Sequence, residues 1–348
     1  MAARSAPDTV EALFARGLYP RLGGRLGGAA EVLPFSLAEA LVLVAVLLTA
    51  YQAGRLLVGI ARRRVDVGPA LARSGANVLL AAGLGYAVFL VLWGFNYARL
   101  PFGALARLPV RPAPASELSE LSSALVLAAN EAREGLAEDA RGVFRLAGGF
   151  ASVSERVAAG YSAIAPGLPF LSDPPSRPKA VLLSPLLSYV GVTGIYFPFT
   201  GEANVNTTLP DAELPFSAAH EIGHQRGFAR EDEANYVGYL ACRHHPDAGF
   251  RYSGLLAASH YALAALHVVD PAAARVVQAS RSAAVLRDEA ALQAWVDRYR
   301  GRATEIGHRV NDAYLRAQGQ KEGLRSYGRM VDLLLAERRA SGLMNSPG

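Results

Sequence analysis

His220-Glu221-Ile222-Gly223-His224, with Glu231-Asp232-Glu233-Ala234-Asn235 close behind, is the stretch from which this chain is read. Residues four apart share one face of an α-helix. Two imidazoles at that spacing can hold one zinc ion, and the carboxylate beside the first then faces the water that the ion would carry. This makes His220 and His224 candidate ligands and Glu221 the candidate general base. The flanks favour a helix of the right length. Leu214-Pro215-Phe216-Ser217-Ala218-Ala219 leads in with a proline suited to a first turn. Gly227 is placed to end the helix soon after His224. Phe228-Ala229-Arg230 is then a short turn into a second helix beginning near Glu231, which can swing a side chain back toward the metal.

A catalytic zinc takes three protein ligands and keeps one position for water. Glu231 and Glu233 are the carboxylates within reach, and both would also suit a helix N-terminus for its dipole. The pattern Glu231-x-x-Ala234-Asn235 resembles the corresponding helix of gluzincins. There the first Glu binds metal and the last residue hydrogen-bonds a ligand histidine. The resemblance implies Glu231 as third ligand, Asn235 as the partner of a ligand ring, and Ala234 as the small residue at which the two helices approach. Taken with residues 194–206, with Phe250-Arg251-Tyr252-Ser253-Gly254 and with Ser326-Tyr327-Gly328, the chain is similar to an uncharacterised bacterial family of membrane-anchored, gluzincin-like proteins carrying HExxH and ExxAN motifs. The likeness implies a zinc site and a membrane hairpin and leaves the substrate open.

Composition independently points to lipid. Of 348 residues, 51% are hydrophobic and 19% charged, and the mean hydropathy is +0.19. Two segments account for this, residues 37–60 and residues 76–97, each about long enough to cross a bilayer core. The second ends in Trp93, Phe95 and Tyr97, which suits an interfacial aromatic belt. Arg62-Arg63-Arg64 lies between them, and short basic loops stay in the cytoplasm. The expectation is therefore a multi-pass cell-membrane protein with both ends of the hairpin, and the metal motif, outside the cytoplasm. The net charge of +5 is scattered rather than gathered into a stripe, so no nucleic-acid partner is expected. The single Cys permits no internal disulfide.

The predicted fold is mainly α. A two-helix transmembrane hairpin is followed by an α+β zincin-like (gluzincin) domain with a small sheet and a helical C-terminal half. The expected divisions are 1–35 as an N-terminal segment, 36–98 as the hairpin and 99–348 as the metallohydrolase domain. Within the last, helices are predicted over 117–146 and 153–164, a proline-rich loop over 166–178, and strands over 180–183 and 189–199. Pro198 marks the second strand as an edge, with Ile195 to Phe199 either lining a cleft or covered by their own loops. Beyond Glu231 the pattern is helical throughout. His244 and His245 are expected in solvent. Tyr236, Tyr252 and His260 are candidate oxyanion donors.

These readings converge on a zinc-dependent peptidase acting on a peptide or protein substrate. A cell-wall peptide amidase could use the same site. A non-catalytic, zinc-stabilised structural or sensor protein is the third possibility.

Overall fold

The computed structural model describes residues 5–64, 66–171 and 177–344. The chain is mainly helical, with a three-stranded sheet. Residues 7–31 are continuously helical. Over Val10–Leu18 the winding is wide, and the Tyr19 amide reaches back five residues to the Phe14 carbonyl. The rod then continues as α1 (Tyr19–Glu31).

Ser36 caps α2 (Leu37–Ala61) by accepting from the Glu39 amide, and α3 (Val67–Leu92) comes after the basic loop. Both are apolar on every face, and their hydrophobic windows are 0% buried within the protein. Helices whose apolar surface is left uncovered by the rest of the protein suit an apolar medium. Their lengths and composition are compatible with membrane spans. A third helix, Ala248–Val269, also passes on length and hydropathy, but 56% of its window is buried. It is the central helix of the core, packed along Ala115–Arg133.

The second apolar segment, predicted to run to Tyr97, stops being α-helical at Leu92 and passes into a 3₁₀ turn over Gly94–Ala98. Trp93 and Tyr97 turn inward instead of forming a belt at the lipid surface. With Val10, Phe14, Tyr19, Tyr196 and Ala229 they make a second buried cluster. Indole and phenol rings bury large areas when partners are at hand, and the helix at residues 7–31 supplies those partners.

The helix predicted over 117–146 is α4 (Ala115–Arg133), ending before Gly135, which has φ +71°. The chain beyond Gly135 is irregular, tied by the buried Arg133–Asp288 pair and by Phe144 N–H donating to Asp288. The predicted helix over 153–164 is present as two pieces, Gly149–Arg156 and Ala158–Ile164. Residues 172–176 of the predicted proline-rich loop lie outside the described residues.

The strands are shorter than predicted. β1 is Lys179–Ala180, β2 is Gly194–Phe197 and β3 is Glu202–Val205. Tyr189, expected to open a strand, closes a short helix over Ser184–Tyr189, where Pro185 suits the first turn. β3 is fully buried in the middle of the sheet, with β1 parallel to it and β2 antiparallel. In that register Gly194 faces Val205 and Phe197 faces Glu202. β2 is therefore an edge, as Pro198 implies.

Next come α5 (Leu214–Gln225), α6 (Glu231–Arg243) and α7 (Ala248–Val269). Pro215 stands in the first turn of α5. Gly227, at φ +86°, ends it in a Schellman arrangement: Gly227 N–H donates to the His224 carbonyl and Phe228 N–H to that of Gly223. The C-terminal half is helical as expected, with α8 (Ala283–Tyr299), α9 (Arg302–Ala317) and α10 (Met330–Met344). His245, expected in solvent, is buried and stacked on Phe250 at 3.8 Å.

Candidate metal centre

The α5–α6 turn brings three side chains together. His220 and His224 project from one face of α5, their ring centroids 4.6 Å apart. Glu231, the first residue of α6, points back at both, with Oε2 3.3 Å from each Nε2. The three are buried, and the possible ligand atoms lie within 4.8 Å of one another. Ala234, fully buried, sits where α6 crosses α5.

Glu233, the other candidate ligand, is engaged elsewhere. Its Oε1 accepts from Phe102 N–H and from Arg230, both at 2.7 Å. The two carboxylates are separated on α6 by about 200° of helical rotation, so only one of them can face the histidines.

The residues fit a divalent cation. Glu231 Oε2 is buried without a hydrogen-bond partner, although two imidazole nitrogens stand beside it. Three possible ligand atoms within 4.8 Å of one another are close enough to share one ion. His224 Nδ1 lies 2.7 Å from the Phe228 carbonyl, which fixes Nδ1 as the protonated nitrogen and leaves Nε2 free to ligate. Two imidazoles and a carboxylate form a donor set suited to zinc. Burial opposes charge on Glu231, but His224 and His220 outweigh it and hold the carboxyl down at about 2.

Asn235 behaves differently from expectation. Its amide donates to the Tyr327 carbonyl, and its side chain pairs with the Tyr261 hydroxyl. It ties α6 to the C-terminal segment instead of orienting a ligand ring. The His220 Nδ1 has no protein partner among the described residues. The side chain packed over His220 is Tyr327, whose ring is nearly parallel to the imidazole at 6.4 Å.

Glu221 is buried against the edge strand. Burial raises its carboxyl above the usual range, opposed by His220 and His224, and the Tyr196 amide donates to it. Gly194 permits this contact: a Cβ there would come within 2.5 Å of Glu221 Oε1.

These groups form one end of a cleft of about 790 Å³. β2 and the turn after it, residues 194–199, form one wall, so of the two readings for Ile195 to Phe199 the cleft lining holds. α9 and Tyr327 form another wall, and Phe89, Trp93 and Tyr97 close the third. Trp93 Nε1–H donates to the His224 carbonyl at 3.3 Å, its ring edge-on to the imidazole at 5.9 Å.

The three candidate oxyanion donors do not line this cleft. Tyr252 donates to Asp288, His260 pairs with Glu289, and Tyr236 is buried beside Glu337. Besides the His–His–Glu cluster and Glu221, the polar side chains that line it are Tyr97, Thr193, Tyr196, His308, Asn311, Tyr314 and Tyr327. Tyr97 and Tyr314 share a hydrogen bond of 3.0 Å. Tyr327 lies in the Ser326-Tyr327-Gly328 run that contributes to the family likeness, but nothing in that run assigns it a role at the site. A second hint is the aromatic run ending the second apolar segment, whose placement depends on which way the chain turns after Leu92.

The fold and the centre define a mainly helical chain with two membrane-compatible helices and a buried His–His–Glu cluster at one end of a cleft. A family described as Protein of unknown function (DUF3810) matches over residues 14–335, and the chain belongs to that family. No curated protein and no solved structure matches it.

Proposed function

We propose that this protein is a multi-pass membrane zinc peptidase of the gluzincin type, with its cleft on the extracytoplasmic side. The observation that carries the reading is the convergence of His220, His224 and Glu231 beside a buried Glu221 on an open cleft. Among the described residues no fourth His, Cys, Asp or Glu joins the cluster. A position therefore remains for solvent, which favours catalysis over a closed structural site.

Zinc held by these three residues would supply Lewis acidity and favour ionisation of water near neutral pH. The chain's own groups do the rest. Glu221 accepts the proton of the attacking water and returns it to the leaving amine. β2 offers its outer backbone to a substrate in extended form, as an added strand. Tyr327, Tyr314 and Asn311 are the donors in the cleft available to a developing oxyanion.

Glu221→Gln is expected to retain metal and lose about 10²–10⁴-fold in peptide hydrolysis. His220→Ala and Glu231→Ala are expected to lose the metal, read as zinc per protein on the purified variants. Undiminished turnover in Glu221→Gln overturns the peptidase reading.

A further inference from the structure

We propose that the substrates are polypeptides anchored in the same bilayer and cut where they leave the lipid. This inference rests on the peptidase reading and names the substrate class of that site.

The first observation is where the cleft lies along α3. From Ser74 to Leu92 the helix carries no charged residue. Those 19 residues rise about 28 Å, and a bilayer core is about 30 Å thick. The whole uncharged stretch is needed to cross it, so Leu92 sits at the lipid boundary. Phe89, a turn earlier, and Trp93, the next residue, both line the cleft. One indole separates the end of the span from a metal-ligand histidine.

The strand wall is tied to the other span. Glu202 of β3 accepts from the Leu37 and Ala38 amides at the first turn of α2, and Ser36 donates to Asn204. Glu39 accepts from the Leu182 and Leu183 amides. The cleft is thus attached to both spans at the ends that share one face of the membrane.

The lining has the polarity this position demands. Among the described residues, no Asp, Glu, Lys or Arg apart from Glu221 and Glu231 lines the cleft. Ile195, Ile306 and Val310 stand 47%, 56% and 65% exposed on its walls. Leu182 and Leu186, at 77% and 58%, are exposed on the segment hooked to α2. An exposed apolar rim continuous with two spans is stable when lipid or an apolar chain covers it. A charged soluble peptide finds no counter-charge there beyond the two carboxylates of the site itself. A chain emerging from the bilayer brings apolar flanking residues and arrives already at the height of Glu221.

The test uses the full-length protein, loaded with zinc and reconstituted in phosphatidylcholine–phosphatidylglycerol vesicles. Three peptide libraries share one randomised eight-residue segment. In the first it directly follows a polyleucine span. In the second it is free in solution. In the third it is joined to the same span through a long Gly/Ser linker, which matches surface density without fixing height. Products are mapped by mass spectrometry, with Glu221→Gln as control. The expected result is cutting within a few residues of the span in the first library, about tenfold or more faster than in the other two. Equal rates in all three, or in the first and third, overturn the proposal while leaving the peptidase standing. If no library shows cleavage that Glu221→Gln abolishes, the peptidase reading falls and this inference with it.

Discussion

Gly194 holds the candidate base in place by having no side chain. A methyl group there would stand 2.5 Å from Glu221 Oε1 and 2.7 Å from its Cγ, so the carboxylate or the strand must move. His220 and His224 do not share this contact and are held by the backbone of α5. Gly194→Ala is therefore expected to leave zinc content unchanged and to lower turnover about 10²-fold, the usual cost of displacing a reacting group by an ångström. Zinc analysis and hydrolysis rates on the same preparation check it, and full activity would mean that strand and carboxylate adjust freely. The same scale explains Glu231 and Glu233. Both lie in the first turn of one helix, and spacing alone leaves them equivalent. Arg230 and the Phe102 amide tell them apart: they engage Glu233, the amide from a distant part of the chain.

Among the elements, the helical rod at residues 7–31 contributes most beyond its expected role as a leading segment. It packs on α5 through Tyr19, whose hydroxyl donates to the Gln225 carbonyl at 2.7 Å. It is further held by Glu11, paired with Arg99 at 2.9 Å with both side chains buried. Arg99 also donates to the Gly227 carbonyl at the end of α5 and lies over the Phe228 ring at 4.4 Å. Removing one partner strands a buried charge. Arg99→Met is expected to cost about 3–5 kcal/mol, read as a lower unfolding midpoint in detergent and faster proteolysis within residues 7–31. Adding Glu11→Leu to Arg99→Met should restore much of the loss, because an apolar pair of similar volume often replaces a buried ion pair without penalty. A double variant no more stable than Arg99→Met would place the main role of Arg99 in its contacts with Gly227 and Phe228.

At the scale of the whole molecule, sidedness decides which polypeptides the cleft meets. If the two membrane-compatible helices span, the basic loop at Arg62-Arg63-Arg64 between them favours a cleft outside the cytoplasm. The lone thiol, Cys242, is buried, and burial pushes its pKa up, so it stays silent to labelling. Arg62→Cys and Val268→Cys then report opposite faces. With a membrane-impermeant maleimide on intact spheroplasts, Val268→Cys is expected to label and Arg62→Cys to label only after permeabilisation. The reverse pattern would put the cleft in the cytoplasm and move the proposed substrates to the inner leaflet.

The periodic features are readable from the chain itself. Two histidines four apart, a glycine where the helix must end, and long uncharged apolar runs depend only on local geometry and solvent preference. The helix α5, its Schellman end, the edge strand at Pro198 and the two membrane-compatible helices follow from them. Local pattern misleads where it allows two environments. Trp93 and Tyr97 could face lipid or core, and the helix at residues 7–31 draws them inward. Ala248–Val269 is apolar enough for a membrane, yet packs along α4 and α6 with 56% of its apolar window buried. Asn235, Tyr252 and His260 could have served the metal site, but Tyr327, Asp288 and Glu289 take their hydrogen bonds. Tyr327 and α9 reach the cleft across about a hundred residues of chain. Such pairings are settled by competition among distant partners for the same buried space, and that competition exists only once the chain has folded.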